Sequence, residues 1–169
     1  WGILLLLLFF AVGVSVLFNA SDVQAKTKTG FVTINGKSYY IKEDGSKLKG
    51  WLELNGKKYY FNKRTGVQVK GWVKNSKGQK RYFNSNGTMK TGWYKDSKTK
   101  YSYYFNTSNG IAYTGLKKIS GSYYYFSKKS GVRYEKGFGH VGSRHYYFNP
   151  SNGKAQTGWL TLNGKKYYF

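Results

Sequence analysis

A chain of 169 residues that is 40% apolar and 20% aromatic, with 22 Gly and a single Pro, matches neither an average globular domain nor a disordered one. Its 29 Lys and Arg against 6 Asp and Glu give a net charge of +23, a field that attracts polyanions without dictating a fold. The lack of cysteine excludes a disulfide framework and a thiolate metal site, so an exported domain of this size needs another source of stability.

The chain opens on an apolar run from Ile3 to Phe18, followed by polar residues to Gln24 and then the small Ala25. This pattern predicts an export signal over residues 1–25, with Val23-Gln24-Ala25 suiting a signal peptidase and cleavage before Lys26. The run is at the short limit for crossing a bilayer, so a retained anchor is the alternative. No basic residue precedes Lys26 and the first residue is Trp1, so the basic start of the signal is expected to lie upstream.

Residues 26–169 are governed by repetition. A Gly followed by a large apolar residue recurs as Gly30-Phe31, Gly50-Trp51, Gly71-Trp72, Gly92-Trp93, Gly115-Leu116, Gly137-Phe138 and Gly158-Trp159, at intervals of 20, 21, 21, 23, 22 and 21 residues. Each is followed by a second block, from Tyr39-Tyr40-Ile41 and Tyr59-Tyr60-Phe61 through Arg81-Tyr82-Phe83, Tyr103-Tyr104-Phe105, Tyr124-Tyr125-Phe126 and Tyr146-Tyr147-Phe148 to Tyr167-Tyr168-Phe169. About seven units are expected, the last cut short at Phe169.

Within a unit the pattern predicts a β-hairpin. Two short β-prone runs flank Asn55-Gly56, and Asn35-Gly36 and Asn163-Gly164 repeat the signal for a two-residue type I′ turn. That turn would set Leu54 opposite Lys57, Glu53 opposite Lys58, Leu52 opposite Tyr59 and Trp51 opposite Tyr60. The period of two then sorts Leu52, Leu54, Tyr59 and Phe61 to one face and Trp51 and Tyr60 to the other. A lone hairpin is marginal in water, so the Leu52, Leu54 and Phe61 face is expected to be covered by the next unit along, in an all-β array of stacked hairpins.

These residues resemble the cell-wall-binding repeats of Gram-positive surface proteins, a family that includes choline-binding and glucan-binding modules. The segment Gly71-Trp72 to Thr91-Gly92-Trp93, with Tyr82-Phe83-Asn84, Gly87 and Met89 between, is similar to the family pattern almost throughout. The resemblance implies a β-solenoid of two-stranded hairpins, preceded here by the signal helix, with ligand pockets between neighbouring units. The ligand-facing candidates are the pairs Trp51 and Tyr60, Trp72 and Tyr82, Trp93 and Tyr104, and Trp159 and Tyr168, joined by Tyr123 and Tyr125 of the Leu116 unit. The competing reading, in which aromatics only glue hairpins together, is preferred for Tyr59, Tyr103, Tyr124 and Phe61. Units starting with Leu116 and Phe138 lack the Trp, so degenerate pockets are expected there.

Choline-type repeats place a further Trp just before the Tyr-Tyr pair, where this chain has Ser38, Lys58, Lys80, Ser102, Tyr123, His145 and Lys166. Exchanging a ring for Lys removes a cation–π attraction and adds a repulsion. A glucan-like glycan or other wall polysaccharide therefore ranks above choline, with teichoic acid as an anionic partner for the basic surface. Nucleic acid is expected to adsorb only nonspecifically, since no recognition motif accompanies the basic residues.

Catalysis is undersupplied. Downstream of the signal the carboxylates are Glu43, Asp44, Glu53, Asp96 and Glu135, and glycoside hydrolysis needs two of them flanking one bond. His140 and His145 have no third ligand or carboxylate in a recognisable constellation, so a surface role is preferred to metal binding or acid–base work. The expectation is a secreted, wall-associated, non-catalytic binding module without cofactor or metal and without membrane contact once the signal is removed. The alternative is a choline- or teichoic-acid-binding targeting module of a wall hydrolase, such as an autolysin or amidase, or of a glucan-synthesising enzyme whose catalytic domain lies elsewhere.

Overall fold

The computed structural model describes residues 29–169, and the expected export signal lies outside them. The described elements are all strands: β1 (Gly30–Ile34) with β2 (Lys37–Ile41), β3 (Gly50–Leu54) with β4 (Lys57–Phe61), β5 (Gly71–Lys74) with β6 (Lys80–Phe83), β7 (Gly92–Lys95) with β8 (Ser102–Phe105), β9 (Gly115–Ile119) with β10 (Ser122–Phe126), β11 (Gly137–Val141) with β12 (Arg144–Phe148), and β13 (Trp159–Leu162) with β14 (Lys165–Tyr168). Each pair is a separate two-stranded antiparallel sheet.

The turns explain why the chain reverses where it does. Asn55 and Gly56 both have positive φ, 50° and 67°, the backbone of a type I′ turn whose twist matches that of the flanking strands. The resulting register pairs Trp51 with Tyr60, Leu52 with Tyr59, Glu53 with Lys58 and Leu54 with Lys57, as the Asn-Gly spacing predicts. Two hairpins use longer turns closed by a side chain: Asn75 Oδ1 accepts from the Gln79 N–H at 2.9 Å, and Asp96 Oδ1 accepts from the N–H groups of Lys98 and Thr99 at 3.0 and 2.8 Å. Those hydrogen bonds, led by the one from Thr99, hold the Asp96 carboxyl below its ordinary range.

The last residues of β4, β6, β8, β10 and β12 form the core. Phe61, Phe83, Phe105, Phe126 and Phe148 are each at most 1% exposed, and each lies opposite the Gly that starts its hairpin. After each Phe the connector turns back and bridges to it, as Gln68 does to Phe61 and Met89 to Phe83. The same connector reaches the preceding hairpin: Gln68 N–H donates to the Ser38 carbonyl at 2.7 Å, and Met89, Ala112, Arg133 and Ala155 repeat this bond to Lys58, Lys80, Ser102 and Tyr123. The turns of successive connectors also nest closely. A Cβ on Gly87, whose φ is +83°, would collide with the Gln68 side-chain amide, so that turn requires glycine.

These bonds set the direction of stacking and correct the expectation that the next unit covers the Leu and Phe face. Phe61 lies 6.3 Å from Phe31 and 6.4 Å from Tyr40, and Tyr59 lies 5.0 Å from Phe31, so this face sits on the preceding hairpin. The reason is the connector N–H, which draws each hairpin onto the strand before it. The following unit contributes connector residues such as Val132, which packs against Tyr103, Phe105 and Ala112.

Candidate functional site

A groove forms wherever the Trp and Tyr face of one hairpin meets the Tyr and Phe face of the next. In the first such groove with Trp, Trp51 and Tyr60 have ring centroids 4.9 Å apart, and Phe83 closes the floor at 6.0 Å from Trp51. Trp51 stays 48% exposed on the wall of a cleft of about 280 Å³ that Met89, Lys58 and Arg81 also line. The Arg81 guanidinium lies 5.4 Å from the Trp51 ring centre, and its Nε donates to the Asn109 carbonyl at 2.9 Å.

The second groove is built from more rings. Trp72 lies 4.8 Å from Tyr103, 5.3 Å from Tyr82 and 5.6 Å from Phe105, while Tyr82 stacks on Tyr94 at 4.5 Å. Trp72 and Tyr103 line a cleft of about 280 Å³ whose rim carries Lys74 and Lys80. The Tyr94 hydroxyl donates to Asp96 Oδ2 at 3.3 Å, and burial first, then the neighbouring Tyr82, pushes its ionisation well above the ordinary tyrosine value. Burial likewise raises Tyr103.

In the third groove Trp93 is flanked by Tyr104 at 5.0 Å and Tyr124 at 4.9 Å, with the Arg133 guanidinium 5.0 Å from its ring centre. Arg133 is held there by Glu135, whose Oε1 accepts from Nε at 2.8 Å and lies 2.6 Å from Nη2. Each cation over a ring is worth about 0.5 to 2 kcal/mol, the upper value applying to desolvated sites.

The remaining candidates fall differently. Trp159 and Tyr168 face each other at 5.3 Å and are 71% and 70% exposed. Tyr123 is exposed beside the Lys118 ammonium at 5.5 Å, whereas Tyr125 packs on Tyr134 and Phe148 at 6.4 and 6.3 Å. Tyr103 and Tyr124 are buried and Phe61 has no exposure, whereas Tyr59 is half-buried. Phe138 departs from its expected degeneracy: it is 51% exposed and meets Tyr147 and Tyr167 at 5.2 Å each, the arrangement Trp93 has in its groove.

Several contributors carry no sequence signal. Arg81 stands in the column that is Tyr in most units, and Arg133 in a connector column that otherwise holds Lys47, Gln68, Met89, Ala112 and Ala155. Lys58 and Lys80 are more than a solvated coat, because their ammonium groups donate to the Ser108 and Ser130 carbonyls at 3.3 and 3.1 Å, two connectors further on.

With this geometry in view, comparison with known sequences is decisive. A choline-binding repeat model matches residues 28–66 and 53–83, and a putative cell wall binding repeat model matches residues 114–132 and 157–169. The chain belongs to the choline-binding and cell-wall-binding repeat family. Among solved structures it is similar to CbpJ from Streptococcus pneumoniae TIGR4, with 31% identity, a TM-score of 0.75, and coverage of 83% of this chain and 50% of that one. It is similar also to choline binding protein F from Streptococcus pneumoniae, at 32% identity and a TM-score of 0.74, covering 83% of this chain and 49% of that one. The same protein has been solved in the presence of a peptidoglycan analogue, a tetrasaccharide-pentapeptide, with equal similarity to this chain. The chain spans about half the length of these structures. No curated protein sequence matches it.

Proposed function

We propose that the hairpin array is a non-catalytic module that holds a wall or extracellular polysaccharide, glucan-like in its neutral sugar face, in the aromatic grooves between repeats, and so anchors a secreted protein to the cell surface. The hairpins are read as a β-solenoid, on the support of the connector hydrogen bonds that recur from unit to unit. The observation that carries the ligand reading is the cation beside each grooved Trp: Arg81 at Trp51, Lys74 and Lys80 at Trp72, and Arg133 at Trp93. A ring face already carrying a guanidinium gains little from a quaternary ammonium, and the two cations repel. A sugar ring suffers no such repulsion, and Tyr hydroxyls with Lys, Asn and Arg donors on the rim suit its hydroxyls. Anionic groups on the polymer, such as teichoic acid phosphate, would add attraction from the basic surface. Each groove is weak alone, and several grooves on one strand supply avidity.

The second reading, choline on teichoic acid as the target, is favoured by the family models and by the likeness to choline binding protein F. Retention of the chain on purified walls, dextran and choline resin separates the two. The polysaccharide reading predicts retention on walls or dextran that survives moderate salt and is not released by free choline. Selective retention on choline resin with choline elution would overturn it. Binding that collapses within the screening range of added salt would assign the partner to a polyanion instead.

A further inference from the structure

Hairpin β11–β12 carries a side-chain pair that polysaccharide binding does not use. The chain has only 2 histidines, and both are here: His140 and His145 are direct cross-strand partners. Their ring centroids are 4.3 Å apart with planes at 66°, and both residues are exposed. At the same register other hairpins hold Thr33 with Ser38, Glu53 with Lys58, Lys74 with Lys80, Lys95 with Ser102, Lys118 with Tyr123 and Thr161 with Lys166. None of those pairs offers two imidazoles.

The spacing fits one metal ion. With metal–nitrogen bonds of about 2.0 to 2.1 Å, two imidazoles on a shared ion have ring centres roughly 4.5 Å apart at a right angle and roughly 5.2 Å apart at the tetrahedral angle. The observed 4.3 Å lies next to the right-angle value, the cis arrangement of tetragonal Cu2+ and Ni2+, and small rotations about the side-chain bonds reach the tetrahedral one for Zn2+. The alternation of side chains along a strand puts Phe138 and Tyr147 on the same face as the two imidazoles and turns Arg144 to the other, so the neighbouring guanidinium does not share the site. Imidazole donors suit these borderline transition ions and not Ca2+ or Mg2+, which take oxygen ligands.

We propose that His140 and His145 form a two-imidazole chelate for Cu2+, Ni2+ or Zn2+, with the remaining coordination positions left to water or to an anionic oxygen. The ion ties β11 to β12 next to their two-residue turn and adds a charged, ligand-accepting point to a unit that lacks the Trp. This site is independent of the polysaccharide reading, because it needs neither an aromatic groove nor a wall polymer.

The test is calorimetric titration of the chain, carrying no added histidine tag, with Ni2+ and with Zn2+. One ion per chain is expected, with Ca2+ giving no heat of binding. His140→Gln and His145→Gln are each expected to weaken binding by about tenfold or more, since each leaves one donor where the second had been held at high effective concentration. Both changes are on an exposed face, and unchanged proton resonances of Phe138 and Tyr147 would report an intact hairpin. Equal Ni2+ affinity of the native chain and the His140→Gln, His145→Gln double variant would overturn the proposal, as would single variants that bind as well as the native chain. Wall retention in the presence of a chelator is expected to be unchanged, so failure of one reading does not mask failure of the other.

Discussion

Phe105→Ala probes how one hairpin rests on another. The Phe105 ring has no solvent exposure and lies 5.6 Å from Trp72, 6.0 Å from Tyr94 and 6.4 Å from Tyr103, so it fills the junction of hairpins β5–β6 and β7–β8. Truncating a buried Phe costs about 3 to 5 kcal/mol, the sum of lost apolar transfer and the cavity left behind. In a repeat array, stability is a sum of unit and nearest-neighbour terms, so the loss falls on one junction. Because whole domains are stable by only about 5 to 15 kcal/mol, that junction is expected to open well before the rest of the chain unfolds. Native-state hydrogen exchange reads this directly: amides of β8 and of Ala112 lose protection, while those of β1 and β2 keep theirs. Phe105→Leu keeps most of the apolar volume and is expected to cost about 1 to 1.5 kcal/mol. Equal loss of protection in all hairpins would refute the neighbour-by-neighbour account, and a cost under about 1 kcal/mol for Phe105→Ala would refute the placement of the ring.

Trp51→Ala and Trp72→Ala are expected to weaken wall or dextran retention severalfold more than Leu116→Ala, measured by depletion at matched protein concentration; equal losses accompanied by unfolding would assign those rings to packing alone. Asp44 is drawn down to about 2, first by the Ser46 hydroxyl and then by the Ser46 N–H and Lys42, and Asp96 is lowered by its turn. A carboxyl lowered in the folded state stabilises above its unfolded value and loses that contribution as pH falls through the folded one. The urea midpoint is therefore expected to drop between about pH 4 and pH 2, by less in Asp44→Ala and Asp96→Ala than in the native chain. Tyr94 has the opposite sign: its raised ionisation leaves its contribution whole below about pH 10 and removes it as the unfolded chain ionises above that. Tyr94→Phe should flatten the alkaline part of the stability profile, and an unchanged slope would count against its partly buried, hydrogen-bonded state.

The hairpins were readable because their causes are local. Asn55-Gly56 fixes the turn, the turn fixes which residues face each other, and alternation then separates Phe61 from Trp51. The direction of stacking was not readable. It depends on connector N–H groups bonding to carbonyls about thirty residues earlier, as from Gln68 to Ser38, and a backbone donor leaves no trace in residue type. The aromatic grooves were half legible: the Trp and Tyr columns stand out, but the cations that share their faces do not. Arg81 replaces a tyrosine of its column, and Arg133 belongs to a connector position whose residues in other units have no common chemistry. Phe138 is a smaller ring than Trp, yet it still meets Tyr147 and Tyr167 at 5.2 Å each, a contact that the residue type at that position does not announce.

The claim that polysaccharide lies against the exposed indoles is tested most directly by the indole N–H resonances of the chain during titration with a soluble wall oligosaccharide. Trp51, Trp72 and Trp93 are expected to shift saturably and to stay shifted in excess choline. Indoles that ignore the oligosaccharide but move with choline would contradict the account.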